Sequence, residues 1–424
     1  MSPMEVNYRS RRRVVITGMG VIAPNGHDLK TFWESVRNGE SAAGPVTRFD
    51  AANLPHRIAA EVRDFDPRRY MEPKTARRLD RSSQYAVSAA RLAVEDGNID
   101  FTHFDPERAG VVEGTTVSNN EMAFRSEEAY SRKGYRGLSP YALINGYNGG
   151  GSGEISNELG ITGHSITCST GSASGNDAVA YGFNMILNDQ ADVMVAGGAE
   201  APLLLPIWGA FCLGKVMTSR NKTPKRAMRP FDKTRDGFLL GEGAGFVLME
   251  ELSFALGRRA AIYAEIMGHG RSCEAFHPVA PHPDGIGVLR AMEKALQQAQ
   301  LHFSEIDYIN AHGTATELSD NAETKAIKKL FGAHPNKLAV SSTKPVTGHL
   351  LAGSGAVETV VCALAIRHQE IPLTLNFDEP AGECALDFVK GASRPYPVQM
   401  VMNLSSGFGG KNACLILGKY SPTR

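Results

Sequence analysis

The stretch His164-Ser165-Ile166-Thr167-Cys168-Ser169-Thr170-Gly171, with Ser174–Leu187 behind it, decides the fold. Residues 164–167 read as a short strand, 168–171 as a turn of small residues, and Ser174–Leu187 as a helix with apolar residues at helical spacing. The next apolar run, 192–197, is again a strand. A strand, a crossover helix and a second strand imply a mainly parallel sheet covered by helices. Working outward, Ala109–Gly114 is a short apolar strand, 82–94 has helical spacing, and 135–153 is rich in Gly, Tyr and Asn and reads as loop. Residues 13–20 form a buried strand running into a Gly turn. The run continues Val-Ile-Ala-Pro, so the third glycine of a dinucleotide fingerprint is missing.

The second half repeats this grammar. Residues 261–267 form a strand ending at Gly268-His269-Gly270, like the strand that ends near Gly18. A strand at 306–310 ends at Ala311-His312-Gly313, like the one ending at Gly114. A strand at 338–342 ends at Thr343-Lys344 and is followed by a helix reaching about His368, like the unit that carries Cys168. The order of elements therefore divides the chain into two related α/β halves, 1–255 and 256–424, packed about a pseudo-two-fold axis. Chemical groups then belong at the carboxyl ends of equivalent strands.

Composition narrows the function. Lys plus Arg and Asp plus Glu balance at 45 each among 424 residues, so no charge excess recruits nucleic acid or an anionic membrane. The most apolar stretch, 201–214, is broken by Pro206 and falls short of the roughly 20 residues that span a bilayer. No apolar leader-like segment opens the chain, and the six cysteines form no Cys-x-x-Cys pair. A soluble cytoplasmic protein with reduced thiols and no zinc site is expected. The basic residues Arg9 to Arg13 read as a solvated, poorly ordered end rather than a partner-binding arm.

Three residues carry the chemistry. Cys168 lies between a strand and a helix, where a helix N-terminus stabilises a thiolate and small neighbours admit a substrate. A structural role suits Cys362 and Cys414, inside a helix and a strand, better than it suits Cys168. His312 and His349 stand at strand ends of the second half, and imidazoles there can move protons or donate hydrogen bonds to an oxyanion. Lys344 reads either as a solvated surface charge or as a cation that holds the field near His349 positive, with Glu358 on the following helix as its counter-ion. The turn Gly407-Phe408-Gly409-Gly410 lacks the lysine-serine ending of a phosphate loop. It either closes a tight turn or brings an N–H close to substrate.

Together these motifs make the chain resemble the β-ketoacyl synthases of the thiolase superfamily, closest to the elongating enzymes of fatty-acid and type II polyketide synthesis. The resemblance runs from Val14 to about Gly418 through Thr167-Cys168-Ser169-Thr170-Gly171, Arg229-Pro230-Phe231-Asp232, Arg235-Asp236-Gly237-Phe238, Gly241-Glu242-Gly243-Ala244-Gly245, His312-Gly313-Thr314, Ser342-Thr343-Lys344, Gly348-His349 and Gly407-Phe408-Gly409-Gly410. It implies an α/β, five-layered αβαβα thiolase-like fold and a dimer, either homodimer or heterodimer with a related subunit. Cys168 would take the acyl group from the phosphopantetheine arm of an acyl carrier protein. His312 and His349 would promote decarboxylation of malonyl-carrier protein, and the enolate would attack the Cys168 thioester, giving a 3-ketoacyl product and CO2. By the same resemblance, the N–H groups of Cys168 and Phe408 form the oxyanion hole, Phe408 gates the acyl chamber, and Thr314 and Thr316 contact the pantetheine. No resident cofactor or metal is called for.

The chain departs from the family pattern at Glu317, Ser319, the triplet Leu404-Ser405-Ser406, Lys411 and the stretch Ala173-Ser174-Gly175-Asn176. These departures concern acyl length and substrate, and tilt the reading towards a specialised polyketide or polyene pathway. Two competing readings remain. One is an inactive partner that shapes another subunit's acyl chamber, for which Cys168, His312 and His349 would be superfluous. The other is a coenzyme A thiolase, which wants a second cysteine near the last Gly-rich turn, where none stands.

Overall fold

A computed structural model describes residues 12–117, 120–332, 338–382 and 384–422. Among them, eleven strands join in one sheet. In chain order they are β1 (Val14–Ile22), β2 (Ala109–Gly114), β3 (Ser165–Cys168), β4 (Val193–Glu200), β5 (Gly243–Glu251), β6 (Ala264–Cys273), β7 (Tyr308–Asn310), β8 (Ala339–Ser341), β9 (Asp387–Phe388), β10 (Met400–Gly407) and β11 (Lys411–Gly418). Their spatial order is β9-β8-β7-β10-β11-β6-β1-β5-β4-β2-β3.

That order contains the internal two-fold. From the middle outward one half runs β1-β5-β4-β2-β3, and the other runs β6-β11-β10-β7-β8. The halves meet where Val14, Val15 and Ile16 pair antiparallel with Ile266, Glu265 and Ala264. The expectation of a mainly parallel sheet is corrected. Pairs toward the outer edges are parallel, whereas the central pairs are antiparallel. The cause is connectivity. A hairpin turn at 408–410 returns β11 onto β10, and the excursion 201–242 returns β5 onto β4, so neither strand follows a crossover helix.

Six of the helices complete the layers: α1 (Arg81–Gly97), α2 (Gly150–Leu159), α3 (Ser174–Leu187), α4 (Ile286–Ala299), α5 (Glu317–Phe331) and α6 (Ala352–His368). The first, α1, covers β1, β5 and β4 from outside, and α4 covers β6 and β11. Between the sheet halves lie α3 and α6, packed on each other. The former rests on β4 and β2, the latter on β5, β4 and β10. The result is a five-layered αβαβα arrangement. Every residue of α6 from Ala352 to Ile366 is buried, so its small and apolar residues run all round the helix rather than along one stripe. Asn403 of β10 ties the middle layer together, donating to Asn176 Oδ1 on α3 and to the Gly355 carbonyl on α6, each at 3.0 Å.

Two further expectations need correction. The segment 135–153 is not all loop, because α2 begins at Gly150. One of its glycines answers to packing: a Cβ on Gly151 would lie 2.3 Å from the Glu113 carboxylate. At the basic end, residues 9–11 lie outside the described residues, but Arg12 and Arg13 are not free. Arg12 reaches Asp189 at 2.8 Å, and Arg13 reaches Glu265 at 2.6 Å. Among the described residues no helix is long and apolar enough to cross a membrane.

Candidate active site

His312 follows β7 and is buried. Its own N–H and that of Gly313 donate to the two oxygens of Glu323 on α5, at 2.7 and 2.9 Å. This clamp fixes the backbone that aims the ring. His349 is held by a bond from its N–H to the Leu239 carbonyl at 2.7 Å and by a contact between its Nδ1 and the Ser354 hydroxyl of α6 at 3.0 Å. The two rings meet edge to face, with centroids 5.4 Å apart, and Phe238 closes on His349 in the same manner at 5.2 Å.

Charge sets the protonation of this pair. Burial, then the Lys344 ammonium, holds both imidazoles well below the ordinary histidine range, so both are neutral at pH 7. Lys344 is wholly buried and lies 2.5 Å from Glu358 Oε1. Burial pushes the Glu358 carboxyl up to about 7, with Lys344 acting in the opposite sense. Neutral imidazoles can donate one hydrogen bond and accept another, as an enolate-stabilising pair requires.

Both histidines face a cavity of about 520 Å³ that is also lined by Ser172, Thr314, Thr316 and Phe408. The hydroxyls of Thr314 and Thr316 lie 3.0 Å apart, a polar rung for a polar tether. Phe408 is half-exposed at 49%. Its turn packs backbone to backbone on the turn after Cys168. Gly171 has φ +65°, and a Cβ there would sit 3.4 Å from Gly407 Cα and 3.5 Å from the Phe408 nitrogen. The conformation favours glycine, and a Cβ would just touch the facing turn.

The structure separates Cys168 from this constellation. The expectation put it at the start of a helix. Instead it is the last residue of β3, paired opposite Gly114, and α3 begins only at Ser174. Cys168 is half-buried against the apolar core and is not among the residues lining the cavity. Burial pushes its thiol pKa up, Asp177 adds to the shift, and Arg271 opposes it, so the site favours the thiol over the thiolate. Its carbonyl accepts from the Thr115 N–H at 3.0 Å, which continues the pairing of β3 with β2.

The residue of this segment that does reach a histidine, His349, is Ser172. Its Oγ lies 3.1 Å from Nε2 of His349. Sequence reasoning passed over it because a thiol is the stronger nucleophile. The signal was present, since Ser172 stands between the small residues Gly171 and Ala173 directly ahead of the helix. Glu323 and Ser354 were also missed. Each acts on a histidine from another element, and no local motif marks either. Among the described residues no group of three His, Cys, Asp or Glu is placed to hold a metal ion.

Known proteins similar to the chain identify its family. Residues 11–255 match the family described as "Beta-ketoacyl synthase, N-terminal domain", and residues 263–378 match "Beta-ketoacyl synthase, C-terminal domain". The chain is 41% identical to a Coxiella burnetii protein named 3-oxoacyl-[acyl-carrier-protein] synthase 2, over 96% of this chain and 99% of that one. A protein of the same name from Synechocystis sp. is 39% identical over 97% and 99%. Among solved structures, the ishigamide ketosynthase/chain length factor superposes with a TM-score of 0.91 at 36% identity, covering 97% of this chain and 100% of that one. A type II polyketide synthase acyl-carrier protein in complex with its ketosynthase, bound to the hexaketide, gives 0.89 at 29%, with the same coverage.

Proposed function

The chain belongs to the beta-ketoacyl synthase family, and from that premise we propose that it is an acyltransferase condensing an enzyme-bound acyl group with malonyl-acyl carrier protein to give 3-ketoacyl-carrier protein, CO2 and free carrier. One observation carries the reading: two buried neutral imidazoles, edge to face at 5.4 Å, on the wall of a cavity that also presents a polar threonine pair and a half-exposed aromatic, Phe408. Loss of CO2 supplies the carbanion without a strong base. The imidazole N–H groups of His312 and His349 stabilise the enolate oxygen, and Thr314 and Thr316 receive the pantetheine arm. Phe408 stands at the boundary between the cavity and the turn after Cys168, as a gate would.

An acyl carrier protein is the partner in this scheme, and a second ketosynthase-type subunit covers the outer edge. β3 is the last strand of the sheet on its side. Beside it in sequence, Tyr135, Leu143 and Tyr147 are exposed at 71%, 84% and 57%, an apolar area that a free surface rarely carries. The pathway is fatty-acid or type II polyketide and polyene synthesis.

To test the reading, the purified protein is given malonyl-carrier protein with acyl-carrier proteins of several chain lengths, and CO2 and the carrier-bound product are measured by mass. A product heavier than the acyl primer by one two-carbon keto unit is expected. Absence of both CO2 and product at every chain length sinks the reading. One observation favours a second reading, that of a non-elongating partner subunit: the group beside His349 is a hydroxyl, not a thiol. That reading expects turnover only when a separate ketosynthase subunit is added.

A further inference from the structure

We propose that Ser172, rather than Cys168, accepts the acyl group, so that the enzyme-bound intermediate is an oxygen ester. The inference rests on the condensing reading above and names its nucleophile.

Four observations carry it. Ser172 Oγ is 3.1 Å from His349 Nε2, within reach for proton transfer. Ser172 lines the cavity that holds both histidines, and Cys168 does not. Its turn is held rigid just ahead of α3: Ser174 Oγ donates to the Gly171 carbonyl at 2.6 Å and accepts the Thr170 N–H at 2.8 Å. Finally, a Cβ on Gly407 would lie 2.9 Å from the Ser172 nitrogen, so the Ser172 and Phe408 backbones converge on one spot. Their two N–H groups there form the oxyanion hole that the sequence assigned to Cys168 and Phe408.

The third member of the relay is Ser354. Its hydroxyl accepts the Leu350 N–H at 2.8 Å and contacts His349 Nδ1 at 3.0 Å. A hydroxyl serves either imidazole tautomer, because it both donates and accepts. In the first half-reaction Nδ1–H is directed at Ser354 and Nε2 is the base for Ser172; in the second the ring takes the other tautomer, with Nδ1 accepting from the Ser354 hydroxyl and Nε2–H facing the enolate oxygen. The serine oxygen attacks the thioester carbonyl of the acyl-carrier protein. A C–O bond forms and the C–S bond breaks. The hydroxyl proton passes through His349 Nε2 to the leaving pantetheine thiolate, giving the free thiol. In the second half-reaction malonyl-carrier protein loses CO2, and the resulting enolate carbon attacks the ester carbonyl. The C–O bond breaks and the serine alkoxide takes a proton from solvent, which restores the hydroxyl.

The test is intact-mass analysis after incubation with acyl-carrier protein, on wild type, Ser172→Ala, Ser172→Cys and Cys168→Ala, each checked for folding by thermal melt. Wild type and Cys168→Ala should carry one acyl adduct that survives neutral hydroxylamine, which cleaves thioesters and spares oxygen esters. Ser172→Ala should carry none. Ser172→Cys should carry an adduct that hydroxylamine removes. An adduct that persists in Ser172→Ala, is lost in folded Cys168→Ala, or never forms on wild type overturns the proposal. The condensing reading is judged separately by 3-ketoacyl product. If Ser172→Cys makes product while wild type takes no acyl group, only the serine assignment fails; if neither makes product nor releases CO2, both fail.

Discussion

Lys344 Nζ and Glu358 Oε1 lie 2.5 Å apart, both wholly out of solvent, and the ammonium pushes the pKa of His312 and His349 down. The pair couples the stability of the second half to the protonation of its site. Replacing Lys344 with Met strands a buried carboxyl. A loss of about 3–5 kcal/mol is expected in urea unfolding. Glu358→Gln alongside Lys344→Met should recover most of it. Equal stability of the single and double variants would show that the pair is not coupled.

Lys344→Met also has a kinetic signature. Removing the positive charge raises both imidazole pKa values, so imidazolium forms at a higher pH on acidification. The acid limb of the decarboxylation rate against pH should therefore move to higher pH. An unmoved limb would place the ammonium's influence elsewhere.

Single replacement of either histidine separates the two half-reactions. His312→Ala should still accept an acyl group but release CO2 from malonyl-carrier protein about 10²–10³-fold more slowly, the usual cost of one lost oxyanion donor. His349→Ala should fall as far in CO2 release and should also slow acyl transfer, because its Nε2 faces Ser172. Normal CO2 release by either variant would remove that residue from the enolate site.

Gly171→Ala is expected to act twice. The φ of +65° costs an alanine about 1–2 kcal/mol. The added methyl would also stand in van der Waals contact with Gly407 Cα and the Phe408 nitrogen, at 3.4 and 3.5 Å, so any relief of the backbone strain moves the Phe408 turn. Activity should drop more than stability does. A variant that loses stability alone would show that the two turns adjust independently.

Glu113 makes stability fall with pH. Burial, reinforced by the Glu200 carboxylate, pushes its pKa up to about 8 from an ordinary 4.5. The folded state thus binds this proton more tightly than the unfolded chain does. Stability from the protonated form is full below about pH 4.5 and is lost as pH rises through about 8. Glu113→Gln should flatten the melting temperature between pH 6 and 9, and an unchanged slope would exclude Glu113 as its source.

Much of the architecture was legible because it depends on local patterning. The strand 109–114, the helix Ser174–Leu187 and the repeated order of strands all rest on apolar periodicity, which the backbone obeys wherever the segment ends up. The parallel character of the sheet was misread because direction depends on connections such as 201–242, whose path no periodicity encodes. The glycines at 150–153 looked like loop because glycine signals both flexibility and close packing, and only the neighbouring Glu113 shows which applies.

The site divides in the same way. The sequence by itself determined that two histidines stand at strand ends of the second half, and that a turn of small residues leads into the central helix of the first. Which side chain of that turn meets the imidazoles was decided by tertiary structure. Cys168 and Ser172 stand four positions apart, and the point where the strand stops and the turn begins selects between them. That point is fixed by how the Gly407–Gly410 turn packs on Gly171, a contact between residues more than two hundred positions apart, which no reading of either segment alone contains.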